Sequence, residues 1–200
     1  MAETSGAVDL VEALTREAPA RRRFTVDEYY RMADAGILRE DERVELLDGE
    51  IVLMAAIRSR HARCVEFLAE WFIIRLVGQV IVRIQNPVRL DDGSEPEPDI
   101  ALLRMRADRY GDVHPGPPDV LLLIEVADSS LGYDRDTKLP RYAKAGIPEL
   151  WLVDLNGERV LMHRKPNGTR YEQVEAIERG EMLTVDGFPH ISLPVNDLLG

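Results

Sequence analysis

Apolar positions change period several times along this chain, and each change marks an element. Thr25 followed by Glu28 forms a capping box, which predicts a helix from Val26 to about Ala35, ended by Gly36. RVELLDGEIVLM (43–54) reads as a hairpin turning on Asp48-Gly49, a dipeptide that favours positive φ. Ile57, His61, Cys64, Val65, Leu68, Trp71 and Phe72 then recur at helical spacing and predict a long amphipathic helix ending near Gly78. Val80–Ile84 and Val88–Leu90 read as short strands split by Pro87, followed by a polar, turn-rich loop (91–98) and a strand over Asp99–Leu103. A Pro/Gly-rich loop (114–119) leads to VLLLIEVAD (120–128), which is apolar on both faces, as a strand covered on both sides must be. A helix is predicted over Asp136–Ala145, stopping at Gly146, with Pro140 in its first turn or kinking it. Glu149–Asp154, Arg159–Arg164 after the Asn156-Gly157 turn, and Tyr171–Ala176 complete the strands. This order gives a mixed α/β (α+β) fold, with one central mixed sheet flanked by helices and no doubly wound repeat.

Composition narrows the class. Two hundred residues fit one ordinary domain, placed at 23–200, with residues 1–22 as an extension carrying a short helix around Val8–Glu17. The Arg21-Arg22-Arg23 run in that extension is most simply a solvated charge run. A hydrophobic fraction of 45% excludes a disordered chain. A single cysteine, Cys64, excludes an internal disulfide and a Cys-rich zinc module, and fits a reducing cytoplasm. No apolar run is long enough to span a membrane, and the start does not read as a signal peptide, so a cytoplasmic protein without membrane contact is expected. The net charge of −11 excludes a non-specific nucleic-acid coat. Contact with nucleic acid would need a local basic patch or metal ions.

Several familiar sites are missing. The sequence holds no phosphate-binding Gly-Lys-Ser/Thr loop, no dinucleotide fingerprint and no Gly-x-Ser-x-Gly elbow. Its histidines, His61, His114, His163 and His190, are not paired at metal-ligand spacing. What remains is carboxylates at strand positions. Asp99 follows Pro98, and Glu125 lies inside the most buried strand, where a carboxylate is costly unless its charge is compensated. Two such carboxylates can hold Mg²⁺ or Mn²⁺ through oxygen, and Lys138 in the following helix can approach the same place. Spacing alone leaves a structural reading open beside this one: Asp99 beginning a strand after a turn, and Glu125 with Lys138 forming a buried ion pair. Tyr142 shares a helix face with Lys138 and is expected to pack on its stem, and Trp151 is expected to pack in the core.

Pro98-Asp99, Glu125 and Lys138 together resemble the signature of the PD-(D/E)XK nuclease-like superfamily. RVELLDGEIV (43–52), QNPVRL (85–90), EPEPDIALL (95–103), LLIEVADSS (122–130) and YDRDTKLPRYAKAGIPELWLVD (133–154) resemble the Uma-type restriction endonucleases over about residues 23–195. The resemblance implies a restriction-endonuclease-like core and a Mg²⁺- or Mn²⁺-dependent endonuclease that hydrolyses phosphodiester bonds in nucleic acid, DNA first. Asp99 and Glu125 match the paired acids, and Glu45 matches an auxiliary acid of the metal site. The superfamily's usual lysine position holds Ala127. The lysine of the Uma-type group matches Lys138, in the next helix. His61 falls where the group carries a histidine, either as a core residue or at the edge of the site. Gln85 either bridges a metal-bound water or holds a strand edge. Arg135, Arg141 and Lys144 make 133–144 locally basic, a candidate contact for nucleic-acid backbone unless that face is merely solvated. A homodimer is implied as a way to act on two strands. Two rival functions stand beside the nuclease: a non-catalytic binding or assembly protein on the same fold, and a hydrolase of small phosphoesters.

Overall fold

The structure, a computed structural model, describes residues 21–200. The helix predicted at Val8–Glu17 and nearly all of the predicted extension lie outside those residues. Helix α1 (Val26–Asp34) starts on the predicted capping box: Glu28 N donates to Thr25 Oγ1 at 3.2 Å, and Thr25 N donates back to Glu28 Oε2 at 3.1 Å. The β1 (Val44–Leu47) and β2 (Glu50–Leu53) strands form an antiparallel hairpin turning on Asp48 and Gly49, both at positive φ. Gly49 is required there twice over, because a Cβ would also come within 2.7 Å of the Arg23 Cβ. Helix α2 (Ser59–Arg75) follows.

Six strands build the central sheet: β3 (Val80–Ile84), β4 (Ile100–Arg104), β5 (Val120–Ala127), β6 (Glu149–Asp154), β7 (Arg159–Pro166) and β8 (Tyr171–Glu178), in that spatial order. All neighbours are antiparallel except β5 and β6. A parallel pair needs a crossover. Here it is helical: α3 (Leu131–Tyr133), a π-helical turn (Asp134–Lys138) and α4 (Leu139–Ala145).

Alternation along the strands sorts the core into two layers. Leu102 on β4, Leu122 and Ile124 on β5, and Trp151 and Val153 on β6 pack with α2. Ala101, Leu103, Leu123 and Leu150 face the other way, against Tyr142, Ala143 and Ile147. The double burial expected of 120–128 is thereby met: a helix covers each face of β5.

Three elements differ from expectation. Val88–Leu90 is not a ladder strand. Gln85 at φ 49° ends β3, and Val88 N and Leu90 N bond locally to the carbonyls of Pro96 and Ser94 at 3.0 and 2.9 Å. The crossover begins at Leu131 rather than Asp136, and Pro140 falls in the first turn of α4, where its missing N–H costs least. Beyond β8, the hairpin β9 (Met182–Val185) and β10 (Phe188–Pro194) and helix α5 (Val195–Leu199) were not anticipated. Leu183, Val185, Ile191 and Leu193 from that hairpin close the α2 side of the core. Their period-two alternation around Asp186-Gly187 is a hairpin signal of the same kind as the one read at Asp48-Gly49. Among the described residues no helix is long and apolar enough to cross a membrane.

Candidate active site

Glu125 lies on the same face of β5 as Leu123, the face covered by α4, and alternation therefore aims it at the crossover. It is 4% exposed. Lys138, at the end of the π-helical turn, places Nζ 3.2 Å from Glu125 Oε1. The same Nζ is 3.0 Å from Glu45 Oε2, which β1 brings in from the hairpin. One ammonium thus bridges two buried carboxylates from elements far apart in sequence. Tyr142, one turn beyond Lys138, donates to Glu125 Oε1 at 2.6 Å, so it does more than pack on the lysine stem. Tyr133 OH and the Glu97 N–H complete the shell around Glu45, at 3.3 and 3.2 Å.

Asp99 immediately precedes β4, next to β5. Val126 N donates to its Oδ2 at 2.8 Å, and Gln85 Nε2 to its Oδ1 at 3.1 Å. His61, in the first turn of α2, sets Nε2 3.0 Å from the same Oδ2. The left-handed turn at Gln85 ends β3 and brings that side chain back to Asp99. Both His61 and Gln85 therefore contact Asp99, and both line the same cavity.

Glu45, Asp99, Glu125, Lys138, His61 and Gln85 line one cavity of about 350 Å³. Glu97, Asp128 and Asp134 line it too, so six carboxylates face Lys138, Arg43 and Arg58. The imbalance is visible in the acid strengths. Burial pushes Glu125 up to about 8, against the pull of Lys138. Burial likewise lifts Asp134 to about 6, although Ser130 donates to it at 2.6 Å. Glu97 is raised by burial and by Glu45 beside it. Burial opposes the charge on Lys138, but Glu125 and Glu45 outweigh it and hold the ammonium protonated. The hydrogen bond to Asp99 raises His61 against its own burial.

The sequence places Glu97 in an acidic run that leads into Asp99, but it does not single out Tyr133 or Asp134 as site residues. Glu97 alternates with proline in EPEPD just before Asp99, and Tyr133-Asp134 opens the segment that carries Lys138, so both were within reach of the motifs.

The expected ligand set of Asp99, Glu125 and Glu45 does not assemble as a trio, because Lys138 stands between Glu45 and Glu125. Among the described residues no group of three or more His, Cys, Asp or Glu side chains is arranged to hold a metal ion. The donors nonetheless suit a hard cation. They are carboxylate oxygens, they outnumber the cations, and Mg²⁺ commonly binds through one or two carboxylates while keeping several waters.

The basic segment is partly spent within the molecule. Arg135 pairs with Asp136 at 2.7 Å, and Arg141 pairs with Asp48 at 2.5 Å and bonds the Thr137 carbonyl. Lys144 is exposed.

A six-stranded mixed sheet, a parallel β5–β6 pair with a helical crossover, and acids and a lysine gathered where Asp99 meets β5 define a nuclease-like α/β fold. The chain belongs to the Uma2 family, described as "Putative restriction endonuclease", whose model matches residues 26–196. Among solved structures it is similar to a "putative nuclease belonging to DUF820" from Anabaena variabilis, with TM-score 0.70 and 18% identity over 88% of this chain and 97% of that one. No curated protein matches it.

Proposed function

We propose that the protein is a metal-dependent endonuclease that hydrolyses phosphodiester bonds in nucleic acid, DNA first. The observation that carries this reading is the convergence of Asp99, Glu125 and Lys138 on one cavity, from three separate elements. Structural ion pairs seldom open onto a cavity lined by six carboxylates against three cations, because nothing repays the repulsion unless a cation arrives.

In this reading Asp99 and Glu125 hold Mg²⁺ or Mn²⁺. The bound ion would supply an activated water and neutralise charge developing on the phosphate. The chain's own residues do the remaining work. His61, Gln85 and the Val126 N–H fix both oxygens of Asp99, so its orientation is set before any ligand enters. Lys138 stays charged and offers its ammonium to the scissile phosphate. Glu45 serves as the anchor of Lys138, with Nζ 3.0 Å from its Oε2, and Tyr133 and the Glu97 N–H hold the same carboxylate in place. Of the basic segment, Lys144 is exposed and Arg135 is held only by an exposed pair worth little, so these two can meet phosphate more readily than Arg141. A homodimer would set two such sites on two strands, and sedimentation would detect it.

The test is cleavage. Purified protein is incubated with Mg²⁺ or Mn²⁺ and with single- and double-stranded DNA and RNA, beside Asp99→Asn. Metal-dependent cleavage lost in the variant supports the reading, and equal cleavage by the variant removes the site assignment.

A further inference from the structure

We infer that the nucleic acid taken by this site is unpaired at the point of cleavage, with its base faces packed on an apolar lip formed by Leu53 and Ile57. This rests on the nuclease reading and adds the substrate class.

The lip is the connection between β2 and α2. Leu53 ends the hairpin, α2 begins at Ser59, and the residues between them line the same cavity as Asp99 and Glu125. Leu53 is 73% exposed and Ile57 44%. Single exposed apolar residues need no explanation. Two of them together, continuous with Met54, Ala55 and Ala56 at the edge of a cavity that six carboxylates also line, make an apolar strip beside a charged site. The connection is also held in place: Met54 N donates to the Arg43 carbonyl at 2.9 Å, and Arg43 Nη1 donates to the Ala55 carbonyl at 3.2 Å. Arg43 and Arg58 line the same cavity, and among the described residues neither is paired with a carboxylate.

Alkyl side chains carry no donor or acceptor for a base edge, so they pack on base faces. In a duplex those faces are covered by stacking. Apolar residues can force a step open, but unstacking costs a few kcal/mol per step and is repaid by wrapping the bent duplex in cationic contacts. This chain carries a net charge of −11, and in its basic segment Arg141 is paired with Asp48, which leaves Arg135 and Lys144 for phosphate. Two such cations repay little of that cost. A strand that is already unpaired meets no such cost. Its backbone can reach Arg43 and Arg58, which line the same cavity of about 350 Å³ as the lip.

The experiment compares one labelled DNA strand alone, fully paired, and paired except for an internal bulge, using wild type and the double variant Leu53→Ser/Ile57→Ser. Cleavage is followed with Mn²⁺, and binding by anisotropy with Asp99→Asn in both backgrounds. Wild type is expected to cut and bind the single strand and the bulge in preference to the paired form. The double variant should lose about ten-fold on those two substrates and little on the paired one, the size expected when part of two alkyl side chains is no longer buried. Equal or better action on the paired duplex, or equal losses on all three, overturns the inference. If no substrate is cut but single-strand binding still depends on Leu53 and Ile57, the nuclease reading fails and the docking surface stands. If binding shows no such dependence, the docking surface fails.

Discussion

Lys138 Nζ lies 3.0 Å from Glu45 and 3.2 Å from Glu125, all three at most 5% exposed. It is the charge that lets β1 and β5 bring carboxylates to one buried point. Removing it should leave two buried carboxylates uncompensated. Lys138→Met is therefore expected to cost about 3–5 kcal/mol at neutral pH. Glu45→Gln in the same chain should recover part of that loss, because one of the stranded charges is gone. Urea melts of the two single variants and the double variant measure the coupling. Strict additivity would show that the bridge does not hold the hairpin to the sheet.

Tyr142 donates to Glu125 at 2.6 Å, and a hydrogen bond to a carboxylate favours its charged form. Glu125 sits near 8 because burial favours the neutral acid. Metal binding requires the carboxylate, so Mn²⁺ affinity should strengthen as pH rises toward 8. Tyr142→Phe should move that profile to higher pH by removing the donor. Calorimetric Mn²⁺ titrations across pH check both statements, and an unmoved profile would exclude Tyr142 from tuning Glu125.

His163 offers a pH effect far from the cavity. It is buried on β7 beside Tyr171, its two ring nitrogens have no partner, and burial lowers its pKa to about 4. Between about 4 and the unfolded value of 6.5 the unfolded chain binds a proton that the folded chain refuses. Stability from this group is thus present above 6.5 and lost as pH falls toward 4, by at most about 3 kcal/mol. His163→Leu should flatten the stability curve over that window. An unchanged acid limb would assign the loss to the carboxylates instead.

Asp99 has its orientation fixed by His61 and Gln85. His61→Ala and Gln85→Ala should each lower cleavage about ten-fold or more while the fold is kept, because misplaced ligands cost rate rather than stability. Circular dichroism and cleavage assays separate the two effects. Loss of the fold in either variant would make these residues structural.

Much of this was legible in the chain. The capping box at Thr25, the Asp48-Gly49 turn and the double burial of β5 all depend on local signals, and each lies where those signals place it. Asp99, Glu125 and Lys138 could be singled out because a charge beside a buried run demands an explanation. What stayed hidden depends on folding back. Val88–Leu90 has the composition of a strand but finds its partners in its own loop. The bridge from Lys138 to Glu45 joins residues whose distance no periodicity encodes. The π-helical turn that lifts Lys138 to Glu125 leaves no pattern in the sequence, and the expected three-carboxylate ligand set overlooked the lysine standing between two of its members.

The central claim, that Asp99, Glu125 and Lys138 form a metal-dependent phosphodiesterase site, is tested most directly by measuring DNA cleavage by wild type and Asp99→Asn with and without Mn²⁺. Cleavage only in wild type, and only with the ion present, is the result predicted. Folded wild-type protein that cuts no nucleic acid with Mg²⁺ or Mn²⁺, or a variant that cuts as well as wild type, would contradict it.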